Sequence, residues 1–218
     1  MRSKRSPKAV EGMAKFGISP EGTLGLSMPY LRSLARRLGR DHNLAKGLWA
    51  SGIHEAKILA ALVDDPKKVT ESQMEKWVAD FDSWDVCDQC CGNLFDRTPY
   101  AYTKALEWSA REEEFVKRAG YVLMAELAVH DKKAPDALFL RFFESIEAGS
   151  TDQRNFVKKA VNWTLRQIGK RNPRLNGAAL ELAERISGKE GPSAKWVASD
   201  AIRELTSGAV QKRLRNSS

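Results

Sequence analysis

The repeated helical spacing of apolar residues is the feature that most limits what this chain can fold into. Apolar side chains recur three or four residues apart in segment after segment, and we find no run of alternating β-branched residues bounded by hairpin turns. Short breakers such as Asp64-Asp65-Pro66, Ala134-Pro135 and Asn172-Pro173 separate these segments. Their spacing predicts about a dozen helices of roughly 8 to 18 residues joined by short turns, and therefore an all-α fold.

A sequence repeat indicates how these helices are arranged. Residues 115–119 (FVKRA) reappear 41 positions later as residues 156–160 (FVKKA), and degenerate copies lie at 54–60 and 195–198. A repeat of this length built from helix pairs is typical of HEAT-type or armadillo-type solenoids. We therefore predict a right-handed α-α superhelix, a HEAT-like repeat solenoid whose inner Lys/Arg-bearing helices line a concave basic cleft. A single irregular helical bundle is the alternative.

Length and composition bound the class of protein. The 218 residues fit one large domain or two small ones, and we interpret residues 1–218 as a single HEAT-like repeat domain with flexible basic ends at 1–10 and 208–218. A composition of 42% hydrophobic and 29% charged residues excludes disorder and a membrane span. The basic start has no apolar segment behind it, so we expect no secretory signal, no membrane partner and a cytoplasmic, nucleoid-associated protein.

Positive charge is concentrated in one part of the chain. The formal charge is +8, and residues 154–174 carry seven Lys or Arg, including Lys158 and Lys159, with no acid. Residues 64–96 reverse the balance, with nine acids and three lysines. A surface that neutralises several phosphates gains affinity by releasing counterions, so the basic segment predicts polyanion binding. A solvated basic helix face is the alternative.

The densest group of candidate functional residues is the segment 82–91 (DSWDVCDQCC). Ser83 is a candidate N-cap for a helix that begins at Trp84, which would set Trp84 and Asp88 side by side on one face. A carboxylate next to an aromatic ring suits the stabilisation of a cationic centre. The alternative is a capped helix whose tryptophan belongs to the core and whose acids are solvated.

Two cationic helices carry the other candidate residues. Trp163 lies in the acid-free segment with Arg166 three residues later on the same face, where the ring suits packing on a sugar or base; a place in the core is the alternative. Arg118 occupies the equivalent repeat position one helix pair earlier. There, a phosphate clamp competes with an ion pair to Glu114.

The cysteines and the missing motifs argue against metal and nucleotide chemistry. Cys87 and Cys90 form a single C-x-x-C, and the sequence has no second such pair and no histidines at ligand spacing. We therefore interpret Cys87, Cys90 and Cys91 as buried thiols that pack a helix. The sequence has no P-loop, no strand-associated G-x-G-x-x-G and no H-E-x-x-H, so we expect no metal and no cofactor.

Taken in order and at their distances, these segments resemble the AlkD family of DNA alkylation repair enzymes. The likeness runs from about Gly25 to near Thr206. Its motifs are the turn Ser83-Trp84-Asp85-x-x-Asp88, the helix with Lys117-Arg118-Ala119, and the helix with Lys159-Ala160-x-x-Trp163-x-Leu165-Arg166.

The resemblance implies a HEAT-like solenoid that holds damaged duplex DNA in its cleft. It implies a monofunctional glycosylase that removes cationic N3- and N7-alkylpurines without base flipping. Trp84 and Trp163 would match tryptophans that contact the sugar of the lesion nucleotide, and Asp88 would match the catalytic carboxylate. The phosphate-binding arginines would be Arg118 and Arg166. Phe16 would match an aromatic residue near the DNA.

The chemistry of such lesions is consistent with these residues. Alkylation at N3 or N7 makes the base cationic, so the glycosidic bond is weak and the leaving group needs no general acid. One ionised carboxylate, which nearby cations would keep charged at Asp88, and two rings then stabilise an oxocarbenium ion and orient water. We expect a monomer that acts on double-stranded DNA containing alkylated bases. A noncatalytic DNA-binding solenoid and a scaffold for an acidic protein are the alternatives.

Overall fold

The computed structural model describes residues 1–216, and regular structure in this range is helical. It contains fourteen α-helices and two short 3-10 helices, with no strand in the described range. The all-α prediction is confirmed. The chain divides into two compact units, residues 1–100 and the residues from 101 onward. The prediction of a single domain over 1–218 stays a prediction.

Each unit has its own set of helices. Unit 1 contains 3-10 helices at Arg2–Lys4 and Phe95–Arg97 and the α-helices α1 (Pro7–Ala14), α2 (Met28–Leu38), α3 (His42–Ala50), α4 (His54–Val63), α5 (Glu71–Ala79) and α6 (Trp84–Asn93). Unit 2 contains α7 (Ala101–Ser109), α8 (Glu114–His130), α9 (Asp136–Leu140), α10 (Phe143–Gly149), α11 (Asn155–Gly169), α12 (Pro173–Ser187), α13 (Pro192–Leu205) and α14 (Gly208–Arg215). Within the described residues, no helix is both long and apolar enough to cross a bilayer.

The central helix of unit 1 is α4, which packs against α2, α3 and α6. All of its residues except Leu62 are buried, because neighbours cover it on several sides. A helix in this position needs small or apolar residues on nearly every face, and the sequence HEAKILAALV meets that need. Its lysine, Lys57, is satisfied by donating to the Asp80 carbonyl oxygen at 3.0 Å.

A buried carboxylate on α4 holds the segment that leads into α2. Glu55 is only 1% exposed and accepts hydrogen bonds from the backbone N–H groups of Leu24 (2.9 Å), Gly25 (2.6 Å) and Leu26 (3.0 Å). Gly25 has a φ of +76°, and a Cβ there would meet the Ser6 carbonyl oxygen at 2.5 Å. Glycine is therefore required where this segment passes the start of α1.

The central helix of unit 2 is α8, which packs against α7 on one side and α11 on another. The two clearest copies of the sequence repeat form the first turns of α8 and α11, and the rings of Phe115 and Phe156 lie 5.5 Å apart between centroids. The sequence repeat is thus a repeat of neighbouring helices, as a HEAT-like stack requires.

Each end of the chain contains a capped helix. α1 is capped by Ser6, whose hydroxyl accepts from the Ala9 N–H, and it buries Val10. α14 is capped by Ser207 in the same way and buries Leu214. The prediction that residues 1–10 and 208–218 are flexible basic ends stays a prediction. Residues 217 and 218 lie outside the described range.

The close approach of α7 and α8 gives a stability prediction at Gly120. A Cβ at this position would press on the backbone of Ser109 and lie 2.8 Å from the Ala105 carbonyl oxygen. We expect Gly120→Ala to lower the free energy of unfolding by about 3 kcal/mol, measured by urea denaturation followed by circular dichroism. Gly177→Ala is the control, because its Cβ would meet nothing within 4 Å, and we expect it to stabilise by about 0.5–1 kcal/mol. Equal stability of the two variants would contradict this packing.

The backbone hydrogen bonds accepted by Glu55 give a second prediction. Glu55→Gln replaces an acceptor oxygen by an NH₂ group that faces backbone donors, so we expect a loss of about 1–3 kcal/mol in the free energy of unfolding. Glu11→Gln is the control, since it makes the same charge change at an exposed position of α1. Equal denaturation midpoints for both variants would show that the hydrogen bonds to Glu55 do not hold residues 24–26 in place.

Candidate functional site

Helix α6 carries the central pair of the candidate site. It begins at Trp84, as predicted, but the Ser83 hydroxyl accepts no cap hydrogen bond and instead donates to Asp82 at 3.4 Å. Trp84 and Asp88 are both half-buried, one helical turn apart. Part of the Trp84 side chain is therefore accessible, and its role in the site stays a prediction. The pair occupies the partly exposed side of a helix whose opposite side is buried.

The buried side of α6 is formed largely by its cysteines. Cys87, Cys90 and Cys91 are fully buried, which confirms their interpretation as packing residues. Burial raises the pKa of the Cys90 and Cys91 thiols well above the usual value. These thiols therefore stay protonated at neutral pH. No group of three or more His, Cys, Asp or Glu in the described range is placed to hold a metal ion.

The orientation of Trp84 is set by the end of α1. Its indole Nε1–H donates to the carbonyl oxygen of Phe16 at 3.1 Å, and the ring of Phe16 is 69% exposed. Phe16 is expected near the DNA only because of the resemblance to the AlkD family. The structure brings Phe16 and Trp84 together in unit 1, although 68 residues separate them in the chain.

An apolar cavity of about 400 Å³ lies beside Trp84. Its walls include Met13, Phe16, Ile18, Leu26 and Trp84, and its polar lining is Ser27, Glu55, Asp85 and Gln89. Asp88 is not among the lining residues. The candidate catalytic carboxylate therefore stands on α6 next to this cavity and not within it.

Sequence reasoning missed a polar pair that supports the start of α6. The Nε2 atom of His54 lies 2.8 Å from Asp85 Oδ2, and His54 is buried. The Oδ1 atom of Asp85 also accepts the Val86 N–H at 3.0 Å. Asp85 thus ties the first turn of α6 to α4. The sequence signal was weak, since the two residues are 31 positions apart and no local spacing relates them.

In unit 2, Trp163 and Arg166 lie on α11 and are both half-buried. Arg166 pairs through its Nη1 with Glu204 of α13, and its Nε lies 3.7 Å from Asp200 Oδ2. Lys170, one turn further, donates to Glu204 at 2.7 Å. Burial raises the pKa of the Glu204 carboxyl, but the hydrogen bond from Lys170 and the charge of Arg166 outweigh it, so the pKa is lowered. Acids from α13 thus face the segment that has none of its own.

Arg118 is buried in unit 2, with 5% of its surface exposed. Its Nη1 donates to the Phe156 carbonyl oxygen at 2.5 Å, which joins α8 to the first turn of α11.

The adjacent lysines Lys158 and Lys159 differ in their surroundings. The ammonium of Lys158 lies 5.5 Å from the centroid of the Trp196 ring, within the range of a cation–π contact. Lys159 is exposed. Each unit therefore holds its own share of the predicted site: unit 1 holds Phe16, Trp84 and Asp88, and unit 2 holds Arg118, Lys158, Lys159, Trp163 and Arg166. The cleft that would draw on both stays a prediction.

The chain is similar to proteins of known sequence and structure. It is 26% identical over 165 residues to the uncharacterized protein Lin0241 of Listeria innocua, covering 74% of this chain and 71% of that protein. It is 25% identical over 167 residues to the uncharacterized protein Lmo0209 of Listeria monocytogenes, with the same coverage.

A solved structure shares its fold. That protein comes from a new family related to the HEAT-like repeat DNA glycosylases, with affinity for branched DNA structures. The TM-score is 0.76 at 18% sequence identity, over 93% of this chain and 91% of that one. The HEAT-like helical fold is therefore confirmed, and the irregular bundle is ruled out.

A family model assigns the chain itself. Residues 1–205 match the model of the DNA alkylation repair enzymes, a span that includes α1 to α13 and every candidate residue named above. The protein belongs to the DNA alkylation repair enzyme family.

Proposed function

We propose that this protein is a monofunctional DNA glycosylase that hydrolyses the N-glycosidic bond of cationic N3- and N7-alkylpurines in duplex DNA. The observation that carries the proposal is the pairing of Trp84 and Asp88 on the partly exposed side of α6, in a member of a DNA alkylation repair family. We infer that it acts as a monomer in the cytoplasm, on DNA of the nucleoid.

The proposed chemistry needs few protein groups. When the C1′–N bond of an alkylpurine breaks, its electron pair goes to the departing base, which leaves neutral. Positive charge then develops on the sugar, where the Asp88 carboxylate stabilises it and orients the attacking water. Water adds to C1′ and loses its proton to solvent. No acid is required for the leaving group.

Each aromatic residue has a proposed role in positioning. The hydrogen bond from Trp84 to the Phe16 carbonyl oxygen restricts its ring, so the ring presents a defined face for sugar contact. Trp163 would contact the sugar of the same nucleotide, and Arg118, Arg166, Lys158 and Lys159 would contact phosphates. Asp88 does not line the cavity beside Trp84, which supports a reaction without entry of the base into that cavity.

The role of Asp88 is tested by base release. We expect Asp88→Asn to lower the rate of 3-methyladenine and 7-methylguanine release from methylated DNA by about a hundredfold or more, because one electrostatic contact contributes about 3 kcal/mol to the barrier. The readout is chromatography of the free bases under single-turnover conditions.

Asp82→Asn is the matched control, because it makes the same change at a position whose side chain is 64% exposed and outside α6. We expect it to leave the rate within about twofold of the unmodified protein. Equal rates for the Asp88 and Asp82 variants would remove Asp88 from the mechanism, and absence of base release from the unmodified protein would overturn the proposed activity.

A second candidate function is noncatalytic recognition of branched DNA. It is favoured by the structural similarity to a protein with affinity for branched DNA structures.

A binding experiment separates the two candidates. We expect the glycosylase to bind a four-way junction and a duplex of equal length with affinities within about threefold, because backbone contacts carry little information about branching. Labelled DNA and anisotropy at one fixed salt concentration supply the measurement. A junction preference of tenfold or more without base release would establish the second candidate in place of the first.

A further inference from the structure

Four exposed arginines at the end of α2 and just beyond it were not among the predicted DNA contacts. They are Arg32, Arg36, Arg37 and Arg40, and none of them forms an ion pair with an acid in the described part of the chain. They therefore differ from Arg166 of α11, which is paired with acids of α13. The partial negative charge at the C-terminal end of α2 attracts cations, which accounts for Arg36 and Arg37 in its last turn. It does not account for Arg32, which lies further back in the helix.

Three of these arginines surround a shallow pocket of about 360 Å³ in unit 1. Besides Arg32, Arg36 and Arg40, its lining consists of Ala35, Gly39, Leu62 and Asn93. No acidic residue is in this lining. Arg37 is exposed on the same helix but does not line the pocket.

Backbone geometry fixes the third arginine at the rim. Gly39 ends α2 with a φ of +71°, where its N–H donates to the Ala35 carbonyl oxygen. The guanidinium of Arg40 then donates to the main-chain carbonyl oxygen of Asp64 at 2.5 Å. The Asp64 carboxylate is occupied elsewhere, by His42 Nδ1 and Gln73 Nε2, each at 2.7 Å. The Asp64 carboxylate is therefore engaged by His42 and Gln73 and does not line the pocket.

The three arginines line one pocket without a counter-charge in the lining. Arg32 and Arg36 are four residues apart on α2 and repel each other on the same face. A bridging anion would relieve that repulsion. The planar fork of N–H donors on each guanidinium matches the oxygens of a phosphate.

We propose that this α2 arginine pocket (Arg32, Arg36 and Arg40) binds a phosphate group of the DNA backbone. The proposal rests on the proposed function only in that the ligand is DNA, and it does not depend on base release. It gives unit 1, which also carries Trp84 and Asp88, its own anchor for the sugar-phosphate chain.

The pocket and the proposed reaction centre share helix α6. Asn93, at one side of the pocket, ends α6, five residues after Asp88. That separation is about 7.5 Å along the helix axis and about 140° around it, so Asn93 and Asp88 point to different sides of α6.

Two double variants with the same net charge test the pocket. Arg32→Gln/Arg36→Gln removes two pocket cations, and Arg37→Gln/Lys46→Gln removes two exposed cations of the same unit that lie outside the pocket, so the formal charge of +8 falls by two to +6 in both. Binding to an undamaged labelled duplex is measured by anisotropy between about 50 and 200 mM salt.

We expect the pocket variant to lose about tenfold or more in affinity at the lowest salt concentration. Its slope of log K against log salt should fall by about 0.9, because one phosphate contact is lost. The control variant should change both quantities by less than half as much. Equal losses in the two variants, or no loss in the pocket variant, would overturn the proposal.

Two further measurements identify the source of the phosphate and separate this proposal from the glycosylase. If inorganic phosphate binds the unmodified protein and not the pocket variant, while both variants hold DNA equally, then the site serves free phosphate and the DNA assignment is overturned. Base release is measured in parallel. Its absence alongside pocket-dependent DNA binding overturns the glycosylase alone, whereas base release with equal binding losses overturns the pocket alone.

Discussion

In each unit, one helix is buried by neighbours on several sides, and the rest of the structure depends on that burial. In unit 1 that helix is α4, and in unit 2 it is α8. A helix with neighbours on several sides can keep a polar side chain only where a specific partner satisfies it. Glu55 meets three backbone N–H groups, and Arg118 meets a carbonyl oxygen. These buried polar contacts hold the segments that carry the candidate site, so the functional surface depends on the core.

Helix α6 shows how packing creates a site. Its cysteines fill the side that faces the core, which leaves Trp84 and Asp88 on the partly exposed side. The two side chains then share one face because they are four residues apart, and the Phe16 carbonyl oxygen restricts the ring. The small volume of a cysteine and the raised pKa of a buried thiol suit this role, since the residue packs closely and stays neutral.

Electrostatics follows the neighbours of a helix more than its own sequence. The acid-free segment 154–174 predicts a surface that binds polyanions, yet Glu204 on α13 pairs with both Arg166 and Lys170. Basic and acidic residues that are far apart in the sequence are thus partly brought together in the folded protein. The arginines of α2 show the opposite outcome, although Asp41 follows them closely in the chain. That carboxylate is engaged in capping α3 through the Leu44 N–H.

The sequence by itself determined the helical class, the breakers, the repeat of helices at α8 and α11, and the pairing of Trp84 with Asp88. These features are local, since each follows from spacings of a few residues along a helix. Only the tertiary structure decided that Phe16 meets Trp84, that Asp85 meets His54, and that Arg166 is paired with Glu204. Those contacts join residues about 30 to 70 positions apart, and no local spacing encodes them; they exist because packed helices bring distant side chains to the same place.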